Sequence, residues 1–180
     1  MKLMFASDLH GSLFFCEKLL DAYKNENAEK LILLGDLLYH GPRNNLSKNY
    51  DTIKVAEKLN AIKNNLLCVR GNCDAQVDQM VLNFPIMSDY AIIYLEKRLI
   101  FLTHGHIYNR NNLPPINKND IMIQGHTHVP IIENINGIIL MNPGSVSLPK
   151  QNSPHSFMIY EDAEFKIKDF DGNIINRYKL

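Results

Sequence analysis

The sequence predicts an α/β fold with helices packed on a parallel sheet. Three observations predict it: short apolar runs of strand length, amphipathic stretches between the first three of them, and a second half in which strand patterns dominate. Leu3 to Ala6 reads as a buried strand, after which Ser12 caps a helical pattern with Leu13, Cys16, Leu20 and Tyr23 on its apolar face. Leu31 to Leu34 is the second run, followed by a loop from Gly35 to Tyr50 that carries Gly41-Pro42. A second helix is expected from Asp51 to about Lys63, with Ile53, Ala56, Leu59 and Ile62 on its apolar face. Leu66 to Val69 repeats the strand pattern and ends in Arg70-Gly71-Asn72-Cys73-Asp74.

Ala91 to Leu95 and Leu99 to Thr103 are close enough to pair as a hairpin across Glu96-Lys97-Arg98. Ile121 to Gln124, Ile131 to Glu133, Ile138 to Met141, Ser156 to Tyr160 and a tail from Phe165 to Ile175 continue the strand series. Asn136-Gly137 and Asp171-Gly172 mark turns. The loop from Tyr108 to Asn119 holds Pro114-Pro115 and reads either as a substrate-facing cover or as a solvated connection. No repeat, low-complexity tract or linker divides the 180 residues, so 1–180 is expected to be a single domain. A chain of that length typically buries roughly 70% of its unfolded surface.

Lys plus Arg equals Asp plus Glu at 19 each, which argues against tight nucleic-acid binding. Cys16, Cys68 and Cys73 show no CxxC spacing, and reduced thiols in the cytoplasm are the simplest reading. Met1-Lys2 runs at once into apolar residues that end at Asp8 and His10, which leaves no room for a signal peptide. No segment approaches the roughly 20 apolar residues of a membrane span. The apolar segment from Met80 to Met87 fits a homo-oligomer contact and core burial equally well.

The strongest functional signal is where polar residues fall relative to the strands. Asp8-Leu9-His10, Gly35-Asp36, Gly71-Asn72, Thr103-His104-Gly105 and Gly125-His126-Thr127-His128 each follow an apolar run. Strand ends of the same sense open on one edge of a parallel sheet, where ligand sites of α/β proteins lie. Five loops would thus bring together two carboxylates, an amide oxygen and four imidazoles. That donor set suits Mn, Fe, Co, Ni or Zn better than Mg or Ca. Taken singly the elements are weak: Asp36 is also a good turn or helix cap, Gly71-Asn72 a good turn, and His126 and His128 fall on one face of a strand by period two.

The order DxH, GD, GN, H and GHxH resembles the calcineurin-like metallophosphoesterases across nearly the whole chain. The strings ASDLHGS, LGDLLYHGPRN, VRGNCD, LTHGH, GHTH and NPGSVSLPK are similar to those of their small bacterial YfcE-type phosphodiesterases. The resemblance implies a four-layer α/β/β/α sandwich with its site at the edge of two facing sheets. It implies two divalent ions, foremost Mn²⁺, one held by Asp8, His10 and His128 and the other by Asn72, His104 and His126, with Asp36 as bridge. Two such ions roughly 3.5–4 Å apart lower the pKa of a shared water and clamp the oxygens of an in-line displacement. Catalytic roles would then fall to Asp36, Asn72 and His104, and substrate contact to Asn72, Cys73, His40 and His106. No covalent protein nucleophile is needed, so Ser7, Ser12 and the cysteines read as structural.

Two positions depart from the family pattern. Many relatives carry a His after the GN, where this chain has Cys73, and relatives with a longer GDxxDRG string carry an Arg where it has His40. A thiol with a reference pKa of about 8.5 is neutral at pH 7 and cannot replace an imidazolium. Fewer cationic groups favour a phosphodiester, with about one negative charge, over a monoester with close to two, and activated aryl diesters should react fastest. His40 and His106 are candidate proton donors, Asp74 would orient an imidazole at position 73, and His155 is an ordinary loop residue. The rival readings are a protein-binding scaffold, as implied for the retromer subunit of this fold, and a nuclease acting on short nucleotides. The complete ligand set opposes the first and the neutral charge balance the second.

Overall fold

Side chains along β1 (Leu3–Ala6) alternate between two cores, Leu3 and Phe5 on one face and Met4 and Ala6 on the other. In the computed structural model, which describes residues 1–180, this strand pairs in parallel with β2 (Lys30–Leu33), which pairs in parallel with β3 (Leu66–Cys68). The crossovers are α1 (Leu13–Asn25) and α2 (Thr52–Ala61), whose N-termini are capped by the side chains of Ser12 and Asp51. A 3-10 turn at Lys63–Asn65 and the short α3 (Gln76–Gln79) complete the helical elements.

The second sheet holds β4 (Tyr90–Leu95), β5 (Arg98–Thr103), β6 (Ile121–Ile123), β7 (Ile131–Ile135) and β8 (Ile138–Asn142) in the order β4-β5-β6-β8-β7. The chain then returns to the first sheet as β9 (Ser156–Glu161), β10 (Glu164–Asp169) and β11 (Ile174–Lys179), giving the order β11-β10-β9-β1-β2-β3. Glu96 and Lys97 both take positive φ, as do Asn136-Gly137 and Asp162-Ala163, so these three hairpins turn on two residues, while β10 and β11 are joined across residues 170–173. The expected three-residue connection at 96–98 is one residue shorter because Arg98 already pairs with Leu95.

Phe5, Ile32, Leu34, Val69, Leu102 and Ile123 belong to the cluster between the two sheets, while Met4, Leu31, Cys16, Leu19, Val55 and Leu59 belong to the cluster under α1 and α2. The two helices bury faces slightly rotated from those expected. Leu19 rather than Leu20 enters the core, and Ile53 is 73% exposed while Val55 is buried. The sheet surface, and not the periodicity alone, decides which side of a short helix is covered. Phe101, Met122, Ile138 and Leu140 form a third cluster with Tyr108, Leu113 and Ile116. Tyr108, Leu113 and Ile116 pin the loop from 108 to 119 onto the second sheet, while Arg110 to Asn112, Pro115 and Asn117 to Asn119 are exposed, as in a solvated connection. Within Met80 to Met87 the burial alternates, with Leu82, Phe84 and Ile86 inside and Met80 and Val81 outside.

Candidate metal centre

The loops after β1, β2, β3, β5 and β6 meet at one edge of the sandwich. They are bound to one another by backbone bonds: Asp8 N donates to Gly35 O at 3.2 Å, His10 N to Asp36 O at 2.9 Å, and Gly125 N to His104 O at 2.8 Å. Gly71 and Gly125 are required by proximity, since a Cβ at Gly71 would collide with Asp36 and one at Gly125 with Ser7 and Asp8. Asp8, His10, Asp36, His126 and His128 all take φ between 46° and 65°. This left-handed region is costly for residues with a Cβ and is sustained only where surrounding contacts hold it. His126 and His128 accordingly lie in a loop beyond β6, not on the face of a strand as period two suggested.

Nδ1 of His10 donates to Tyr39 O at 2.8 Å, that of His104 to Leu34 O at 2.6 Å, and that of His128 to Leu148 O at 2.5 Å. In the neutral ring each Nε2 is then a bare lone pair. Those lone pairs converge on other acceptors. His10 Nε2 lies 3.3 Å from His128 Nε2, and Asp8 Oδ1 lies 3.2 Å from His128 Nε2 and 3.7 Å from His10 Nε2. His104 Nε2 lies 3.1 Å from Asn72 Oδ1, 3.3 Å from His126 Nδ1 and 3.4 Å from Asp36 Oδ2. Asp36 Oδ2 is also 3.7 Å from His10 Nε2, which places this carboxylate between the two groups. Asp8 Oδ1 is buried without an aligned hydrogen-bond donor.

Acceptors packed this closely repel one another unless positive charge sits among them, so the donor set fits divalent ions. Asp8, His10 and His128, and Asp8, Asp36 and His104, each bring ligand atoms within 4.8 Å of one another. Protons respond to the same field. Burial opposes charge on Asp8, yet the surrounding imidazoles hold its carboxyl well below the usual range, and Asp36 is lowered by His104 against its own burial. Burial opposes charge on His104 too, but Asp36 and Asp8 push its pKa up to about 9.

Further residues brace the ligands. Asn142 Nδ2 donates to Gly125 O at 2.7 Å and to Thr127 Oγ1 at 3.0 Å, clamping the loop of His126 and His128, while the hydroxyls of Ser145 and Ser147 donate to Asp8 O at 2.8 and 3.0 Å. The string NPGSVSLPK thus shapes the site from behind. Asp74 accepts from Asp36 N at 2.8 Å, Leu37 N at 2.9 Å and Gly71 N at 2.7 Å. Burial raises its pKa and these donors oppose the rise. This carboxylate is thereby committed to the backbone of the Asp36 loop, which corrects the expectation that it would orient a side chain at position 73. Had the acid been read as a loop brace of the Asx type, the sequence would have pointed to it.

Cys73 is half-buried beside the cluster; its N–H donates to Asp36 Oδ1 at 2.8 Å and Asn72 Nδ2 lies 3.3 Å from its sulfur. Burial and the charge of Asp36 push the thiol up to about 12, so it is neutral. A cleft of about 370 Å³ opens over the ligands, and its wall includes Arg43, Asn44, Thr127 and Lys150. Neither Arg43 nor Lys150 was singled out from the sequence, and they restore cationic charge that His40 and Cys73 do not supply. The His40 ring packs against Tyr39 and Tyr50 at 4.7 and 5.5 Å between centroids, next to Gly41 to Asn44 in the cleft wall. His106 lies beside the cluster, 5.5 Å from the His104 ring, outside the cleft wall; burial and the neighbouring His104 lower its pKa. His155 stacks on Phe15 at 4.0 Å, behind the site.

Residues 1–164 match the calcineurin-like phosphoesterase superfamily domain, and the chain belongs to that superfamily. It is 50% identical over 176 residues to the phosphodiesterase YfcE of Escherichia coli, a match covering 97% of this chain and 96% of that protein. A solved structure of YfcE, described as a phosphoesterase from Escherichia coli, superposes with a TM-score of 0.96 at 45% identity, over 99% of this chain and 98% of the other. The vacuolar protein sorting 29 structure from Cryptosporidium parvum shares the fold alone, at 17% identity and a TM-score of 0.62, over 99% and 98% of the two chains.

Proposed function

We propose that this member of the calcineurin-like phosphoesterase superfamily hydrolyses phosphodiesters with two divalent ions, one among Asp8, His10 and His128, the other among Asn72, His104 and His126, and Asp36 between them. The observation that carries the reading is the convergence of imidazole lone pairs on carboxylate and amide oxygens, each of three rings turned inward by a backbone carbonyl behind it. The activity named for YfcE, at 50% identity over nearly the full chain, supports the diester as substrate class. Ions held there supply Lewis acidity and an activated water for in-line displacement at phosphorus. Mn²⁺ is the proposed ion, supported by a donor set that mixes carboxylate, amide and imidazole.

The chain's own groups supply the remaining work. Asn72 turns Oδ1 toward His104 and leaves Nδ2 to donate to a phosphoryl oxygen, its only near neighbour being the weak acceptor Cys73. Arg43 and Lys150 enter no ion pair with an acidic side chain and offer charge to a phosphodiester monoanion at the mouth of the cleft. The neutral thiol of Cys73 adds no positive charge beside the phosphoryl group, which supports a diester over a dianionic monoester. The shared core between the two sheets supports residues 1–180 acting as one unit. Three free cysteines support a reducing, cytoplasmic setting, and no helix is long and apolar enough to cross a membrane.

The test is hydrolysis of bis(4-nitrophenyl) phosphate by purified protein before and after chelation. Turnover should vanish when elemental analysis shows the metal gone and return with added Mn²⁺. Full turnover by protein free of metal would rule the reading out, and metal-loaded protein inert on diesters would favour a binding scaffold.

A further inference from the structure

We propose that an apolar groove next to the metal cleft binds an uncharged aromatic arm of the diester substrate. The proposal rests on the phosphodiesterase reading and extends it to the substrate's chemical class. The groove, about 510 Å³, lies between α2 and α3, with Tyr39, Tyr50, Ile53, Val77 and Val81 in its wall. Tyr39, Ile53, Val77 and Val81 are exposed, an unusual gathering of large apolar side chains around one concavity.

Cys73 is the one residue that lines both the groove and the cleft over the metal ligands. A small, neutral side chain stands at the junction, where a cationic imidazole would be both larger and more strongly hydrated. An ester group leaving the phosphorus across this thiol passes directly onto the tyrosine and aliphatic surface. Charge selects the kind of arm. Arg43 and Lys150 line the cleft, whereas the only charged residues lining the groove are Glu57 and Asp78, so a second phosphate is disfavoured there and a neutral arm is accepted. Asp78 is moreover engaged with Ala75 N at 2.8 Å. The far wall is held in place before any ligand arrives, because Asn60 donates to Val81 O at 2.8 Å and accepts from Asn83 N at 2.7 Å.

Phenylphosphonate and methylphosphonate present one arm each and cannot be hydrolysed, so their binding to Mn²⁺-loaded protein by calorimetry isolates the arm. Wild type should prefer phenylphosphonate by about tenfold, the scale of one partly buried ring. In a double variant, Ile53→Ser with Val81→Ser, both at exposed positions, the preference should fall to about twofold while methylphosphonate affinity and metal content stay unchanged. The KM for bis(4-nitrophenyl) phosphate should rise in parallel. An undiminished phenyl preference in the variant would overturn the proposal, as would a variant that changes only its oligomeric state in sedimentation, which would make the groove a contact between copies. A wild-type protein that prefers phenylphosphonate but cleaves no diester would leave the groove standing and remove the phosphodiesterase reading instead.

Discussion

Asp36→Asn is expected to empty both metal positions, from about two ions per chain to well under one, and to lower diester turnover by more than about 10²-fold. Its Oδ2 lies 3.7 Å from His10 Nε2 and 3.4 Å from His104 Nε2, closer to the second group than Asp8 Oδ1, which is 4.0 Å from His104 Nε2. Asparagine is the informative replacement because residue 36 sits at φ 56°, a conformation that Asn tolerates and Ala does not. The Asn oxygen still accepts from Cys73 N, so the loop should hold and the melting temperature of the metal-free protein should move little. His128→Ala, by contrast, should remove mainly one ion. Equal metal content in wild type and Asp36→Asn, measured by elemental analysis, would contradict the bridging position.

Cys73→His should raise turnover of aryl phosphomonoesters by about tenfold, short of the roughly 10²–10⁴-fold that a well-placed general acid contributes. The gain is limited because Asp74 already satisfies three backbone N–H groups and cannot turn to orient the new ring. A loosely held imidazole contributes charge more than directed proton transfer. Monoesters, which bring the extra negative charge, should therefore gain more than diesters. A matched series of aryl monoesters and diesters, compared by kcat/KM, separates these effects. Unchanged or lower values throughout, with metal content intact, would mean that the thiol is not what limits monoester hydrolysis.

The parts of the fold legible in the sequence were those set by near neighbours: strand runs bounded by Gly and polar residues, the Ser12 and Asp51 caps, and the Asn136-Gly137 turn. The gathering of the candidate residues Asp8, His10, Asp36, Asn72, His104, His126 and His128 was legible because each lies in a loop that follows a strand, and sheet topology brings those ends together. What could not be read depends on distant contacts. The left-handed backbone at Asp8, His10, Asp36, His126 and His128 is held by cross-loop bonds that no local pattern encodes. Arg43 and Lys150, 107 positions apart, meet only in the folded cleft. α3 has four residues, too few for a helical period to show. The packing of the His40 ring against Tyr39 and Tyr50 is likewise a tertiary choice.

The two-ion arrangement is tested most directly by anomalous scattering from crystals of the Mn²⁺-loaded protein, recorded on both sides of the manganese edge. Two peaks are expected, one bounded by Asp8, His10, Asp36 and His128 and the other by Asp36, Asn72, His104 and His126. A single peak at full loading, or manganese bound away from these seven side chains, would contradict it.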